Sequence, residues 1–106
     1  MLKKYLLLTV FSGILALPLQ SSAHTTLFAC FDNGDGTIFC EGGFSDGSTA
    51  AGVPVIVVDA SRNVIFEGEL SRNSDIEFDK PDGEYSVMLD GGEGHRIEIP
   101  GARIFE

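Results

Sequence analysis

Two histidines, His24 and His95, and one nearby carboxylate, Glu93, are the side chains in this sequence best suited to hold a metal ion. Ahead of His24, Lys3 and Lys4 precede an apolar run from Tyr5 to Leu19 that is broken by Pro18. Ser21-Ser22-Ala23 then offers small residues where a signal peptidase reads. Cleavage after Ala23 would make His24 the first residue of the exported chain. Its α-amine and imidazole could then close a chelate on one ion, and an amine pKa of about 8 makes deprotonation cheap near neutrality. His95 follows the turn Gly91-Gly92-Glu93-Gly94, so Glu93 and His95 form an E-x-H pair. An amine, two imidazoles and a carboxylate suit Cu(II) or Ni(II), which accept tetragonal nitrogen and oxygen donors. The plainer alternative makes His24 a frayed terminus and His95 a surface residue closing a turn.

Other chemistries are weaker. Asp32-Asn33-Gly34-Asp35-Gly36-Thr37 resembles a calcium loop only superficially. Counted from Asp32, the third, fifth and twelfth positions hold Gly34, Gly36 and Gly43, where oxygen donors are needed. A cation shared by Asp35 and Asp46 is a minor possibility. No serine stands in a nucleophile-elbow context, and His95 is the sole stable base candidate. A copper oxygenase is conceivable, but without tryptophan little remains for a flat polysaccharide platform. The expectation is a non-enzymatic protein.

Cleavage would remove 23 of 106 residues and leave 83, a single small domain spanning residues 24–106. Losing Lys3 and Lys4 leaves five basic against sixteen acidic residues, a net charge of −11. Such a surface excludes nucleic acid and anionic lipid as partners, both of which need Lys/Arg patches. No stretch after the signal is long and apolar enough to span a membrane. Cys30 and Cys40 read as one disulfide in an oxidising compartment, closing a loop of about 10 residues and contributing roughly 2–3 kcal/mol. A competing lipoprotein reading of Leu27-Phe28-Ala29-Cys30 would place a lipid on Cys30. Phe28 fits that box poorly, and Gln20 to Thr26 separate it from the apolar core.

The elements that must position these groups are all strands. Thr25–Asp32 and Thr37–Phe44 flank Asn33-Gly34-Asp35-Gly36, a hairpin signal, and five loop residues, Asn33 to Thr37, would place Cys30 opposite Cys40. The β-branched run Val53–Asp59 predicts a central strand buried on both sides. Val64–Leu70, Asp75–Asp79, Glu84–Asp90 and His95–Ile99 complete about seven short strands, with Ile76 and Phe78 inward and Gly42 to Gly52 as the longest loop. The eight aromatics Phe28, Phe31, Phe39, Phe44, Phe66, Phe78, Tyr85 and Phe105 are read as core. The fold expected is an all-β sandwich.

From Gly52 to Gly101, Gly52-Val53-Pro54-Val55, Val58-Asp59-Ala60, Phe66-Glu67-Gly68, Pro81-Asp82-Gly83-Glu84-Tyr85-Ser86-Val87 and Asp90-Gly91-Gly92-Glu93-Gly94-His95 form a pattern. It resembles a carboxypeptidase regulatory-like domain, the small transthyretin-like (prealbumin-like) Greek-key β-sandwich, and is most similar to variants in periplasmic accessory proteins of nickel and cobalt uptake. Two features depart from it: the Cys30/Cys40 hairpin, and Arg72-Asn73-Ser74 where the family has a glycine in the turn. The histidines also resemble the histidine brace of small periplasmic copper-binding sandwiches. The resemblance implies a soluble periplasmic or secreted carrier of Cu, Ni or Co, or an accessory to a membrane metal-transport component or other envelope protein. A cell-envelope interaction or adhesion module without metal is the alternative.

Overall fold

The structure is a computed structural model that describes residues 25–106. The expected signal peptide, residues 1–23, and His24 lie outside the described residues. Seven strands follow in order: β1 (Thr26–Asp32), β2 (Thr37–Phe44), β3 (Pro54–Asp59), β4 (Val64–Glu69), β5 (Asp75–Asp79), β6 (Tyr85–Asp90) and β7 (Arg96–Pro100), with a 3-10 turn at Gly101–Arg103. They form two antiparallel sheets, β1-β2-β5 and β4-β3-β6-β7. The chain crosses between sheets after β2, β4 and β5, and β6 returns beside β3, which makes the connection a Greek key. No helix of the described residues is long and apolar enough to cross a membrane.

Each strand ends where its sequence stops supporting extension. At the β1–β2 turn, Asp32 accepts from the Gly34 N–H and Asp35 accepts from the Thr37 N–H, while Gly34 and Gly36 take positive φ. The hairpin then pairs Asp32 with Ile38 and sets Cys30 directly across from Cys40, and the two are disulfide-bonded. That thiol pairing overturns the lipidation reading for Cys30, since the sulfur that would carry the lipid is bonded to Cys40. Ser74 takes φ 64°, a conformation suited to glycine, in the turn where the family resemblance expects one. A serine is useful here because its hydroxyl accepts the Ala50 N–H at 2.9 Å and meets Thr49 Oγ1 at 2.6 Å.

The core lies between the sheets. Ile38, Cys40 and Phe78 on one side face Val55, Val57, Val87 and Leu89 on the other, closed below by Tyr85 and Ile104. Two expectations need correction. Only Phe78 and Tyr85 among the aromatics are buried; Phe28, Phe44 and Phe66 pack at the core margin, while Phe31, Phe39 and Phe105 do not join it. The reason is period two: Cys30, Ile38 and Cys40 claim the inner positions, so Phe31 and Phe39 must point outward. Likewise β3 is central in its sheet but its outer face is covered only in part: Val58 is buried there, Ile56 half-buried and Pro54 exposed. Its pairing with β4 shifts between Val57 and Val58, leaving Ile65 as an extra residue, a β-bulge. The longest loop starts after Phe44, because Gly42 and Gly43 belong to β2.

Among the described residues three ion pairs tie the periphery: Lys80 to Asp32 at 2.7 Å, Arg62 to Glu98 at 2.7 Å and Arg96 to Asp90 at 2.8 Å. The Lys80 ammonium first, then the Gly34 N–H, holds the Asp32 carboxyl below its ordinary value of 3.8. Arg96 does the same for Asp90, and Arg62 for Glu98. Because these pKa values are depressed in the folded state, their stabilisation is present above the unfolded carboxyl range and is lost as pH falls through the folded values. The thermal midpoint is therefore expected to stay level from neutrality to about pH 5 and to drop below about pH 4. Circular-dichroism melts across pH 3–7 check this, and Asp32→Asn is expected to flatten the drop. The effect is modest, because exposed pairs contribute little.

Candidate functional site

His95 is placed by its own turn. The Gly91 N–H donates to the His95 carbonyl at 3.0 Å, and the His95 N–H donates to the Gly92 carbonyl at 2.8 Å. Gly92 and Gly94 take positive φ, which side chains rarely adopt. Gly91 is needed for a different reason: a β-carbon there would lie 2.9 Å from the His95 carbonyl oxygen and 3.1 Å from its Cβ. Asp90 clamps the turn from outside, accepting from the Gly92 N–H at 3.1 Å and from Arg96 Nε at 2.8 Å. His95 thus sits immediately before β7 rather than opening it.

The imidazole reaches across the seam between the two sheets to the start of β1. Its Nδ1 lies 3.0 Å from Thr26 Oγ1, in a part-buried contact. Phe44, which pairs with Thr26 in the β1–β2 ladder, presents its ring at right angles to the imidazole with centroids 6.4 Å apart. Phe44, Ser48, Gly91 and His95 line an open cleft of about 230 Å³. The strand start is itself anchored. The Thr25 N–H donates to Ser45 Oγ at 2.8 Å, and the Ser45 N–H returns a bond to the Thr25 carbonyl at 2.9 Å. At the far end of the same seam, the Asp32 N–H donates to the Phe105 carbonyl. The start of β1 therefore lies beside the start of β7, and the end of β1 beside the chain that follows β7.

This contact engages Nδ1 and leaves Nε2 without a role in it. When Nδ1–H donates to Thr26 Oγ1, Nε2 keeps its lone pair and can act as a ligand, and a histidine ligand typically has its second nitrogen held in this way. Glu93 is exposed at the tip of the turn. No three His, Cys, Asp or Glu side chains converge among the described residues, so His95 and Glu93 alone do not make a metal centre. His24 lies outside the described residues. Asp35 and Asp46 stand beyond opposite ends of β2, which separates them far too widely to share a cation. Both are occupied in their turns, Asp35 by Thr37 and Asp46 by Ser48.

Thr26 and Phe44 were not singled out by sequence reasoning. The signal available for Thr26 was its position two residues after His24, together with a strand order that only the fold supplies. Comparison with protein families, with curated proteins and with solved structures finds no match.

Proposed function

We propose that this is an exported, non-enzymatic metal-binding protein that holds one Cu, Ni or Co ion through the His24 amine and imidazole and the His95 imidazole, with Glu93 as an optional fourth ligand. The observation that carries the reading is the 3.0 Å contact between His95 Nδ1 and Thr26 Oγ1. It sets the one histidine of the described residues beside the strand start that continues directly from His24. Thr25, the residue adjoining His24, is fixed at the same end by its two bonds to Ser45. The acidic balance of the chain supports attraction of cations. The resemblance to accessory domains of nickel and cobalt uptake suggests a periplasmic carrier that serves a membrane transport component.

The test is a calorimetric titration with Cu(II) and Ni(II) of protein beginning at His24, compared with protein carrying one extra glycine ahead of it. Tight 1:1 binding is expected in the first and its loss in the second, because the added residue moves the amine away from the imidazole. Thr26→Val is expected to weaken binding by about tenfold or more, since it removes the partner that orients the ring. Equal binding in both preparations, or none in either, overturns the reading. The metal-independent interaction module would then stand, favoured by the outward Phe31, Phe39 and Phe105.

A further inference from the structure

The outer face of the β1-β2-β5 sheet has an unusual composition. Leu27 and Phe31 on β1 are 50% and 43% exposed, and Phe39, across from Phe31 on β2, is half-buried on the same face. Beside this apolar ridge run Glu41 on β2 and Glu77 and Asp79 on β5, all exposed. The pairing places Phe31, Phe39 and Glu77 in one row across the three strands. No lysine or arginine occurs in any of the three strands. Lys80, just past β5, is engaged by Asp32, and none of the three ion pairs among the described residues uses Glu41, Glu77 or Asp79. Leu27, Ala29, Glu41 and Gly43 line part of an open trough of about 470 Å³.

We propose that this face docks a cationic, amphipathic segment of a partner protein, with arginine or lysine side chains set against the carboxylates and apolar side chains against Leu27, Phe31 and Phe39. The charge pattern selects this occupant. Aromatic rings flanked by carboxylates suit a guanidinium, which stacks on the ring and pairs with the acid. A second copy of the chain would bring carboxylates against carboxylates, and an anionic membrane would be repelled. Period-two alternation along the strands lets an extended segment lie across the rows and meet both kinds of side chain. The proposal is independent of metal binding and concerns the sheet face away from the core, at different residues from the His95 cleft.

Amide NMR of the exported protein, in the presence of a metal chelator, tests it with two synthetic probes. One is a short peptide alternating arginine and leucine; the other has glutamate in place of every arginine. The basic peptide is expected to shift the amides of Phe31, Phe39 and Glu77 and to lose affinity as salt rises, while the acidic peptide leaves them unmoved. Phe31→Ser and Glu77→Lys are each expected to weaken the basic peptide about tenfold. Unchanged Val57 and Leu89 amides certify that each variant is folded. Binding of both peptides alike, shifts centred on Ile56 and Met88 of the other sheet, or shifts of the same three amides on concentrating the protein alone each overturns the proposal.

Discussion

Replacing Cys30 and Cys40 together by alanine is expected to lower stability by about 3–5 kcal/mol, and the thermal midpoint by roughly 15–30 °C. The cysteines are 10 residues apart and directly opposed in the β1–β2 ladder. Cutting that link returns about 3 kcal/mol of loop entropy to the unfolded chain. Burial adds to the loss. Cys40 is wholly buried and Cys30 nearly so, among Ile38, Phe78 and Ile76. Two alanines there leave unfilled space in a domain whose total stability is only about 5–15 kcal/mol. Denaturant titrations of the oxidised, reduced and double-alanine proteins separate the two contributions. The oxidised-to-reduced difference reads the cross-link, and the reduced-to-alanine difference reads packing. A midpoint within a few degrees of the parent protein would show that the sheets hold together without the staple.

Gly101→Ala comes next. A β-carbon at Gly101 would lie 2.5 Å from Tyr85 Cε1 and 2.7 Å from Cδ1 and Cζ, far inside contact distance. The ring cannot simply swing aside, because Tyr85 is buried at the floor of the core beside Ile104. Either the 3-10 turn or the ring must shift, and overpacking of this kind costs about 1–3 kcal/mol. The site carries its own reporter. Burial raises the Tyr85 phenol above its ordinary value of 10.0, with the Lys80 charge opposing and Asp32 adding to the rise. Tyr85 is also the only tyrosine after the expected signal peptide. Ultraviolet titration of the phenolate is therefore expected to give a high pKa in the parent protein and one relaxed toward 10.0 in Gly101→Ala. Gly43→Ala is the contrast, since a β-carbon there meets nothing closer than the Ser48 carbonyl at 3.9 Å. A near-neutral Gly101→Ala would mean that Tyr85 has room to move.

Much of this fold was legible in the sequence, for local reasons. Turn residues mark boundaries sharply, and all seven strands fall within one residue of the spans read from Gly, Asp, Asn and Pro positions. The Cys30–Cys40 register followed from counting across Asn33 to Thr37. Alternation correctly turned Phe78 inward. What failed was non-local. Aromatic type alone marked Phe31 and Phe39 as core, although a one-residue difference in phase from Cys30 and Ile38 decides the matter, and the phase of β1 is set by its partner. The β3 run gave no hint of the shift at Val57/Val58, because a bulge is a property of two strands. For the site, the sequence named His95 but not its neighbour: Thr26 and His95 are 69 positions apart and meet across a seam between sheets.

The bulge in β4 bears on how such a protein behaves when concentrated. β4 is the edge of its sheet and shows water two aliphatic side chains in succession, Val64 and Ile65, 55% and 46% exposed. A straight edge with that sequence would template addition of a strand from another molecule, the first step toward aggregation. The extra residue breaks the regular spacing of outward N–H and C=O groups and twists the strand where its surface is most adhesive. When the protein is crowded, its protection against fibre growth is carried in its own backbone.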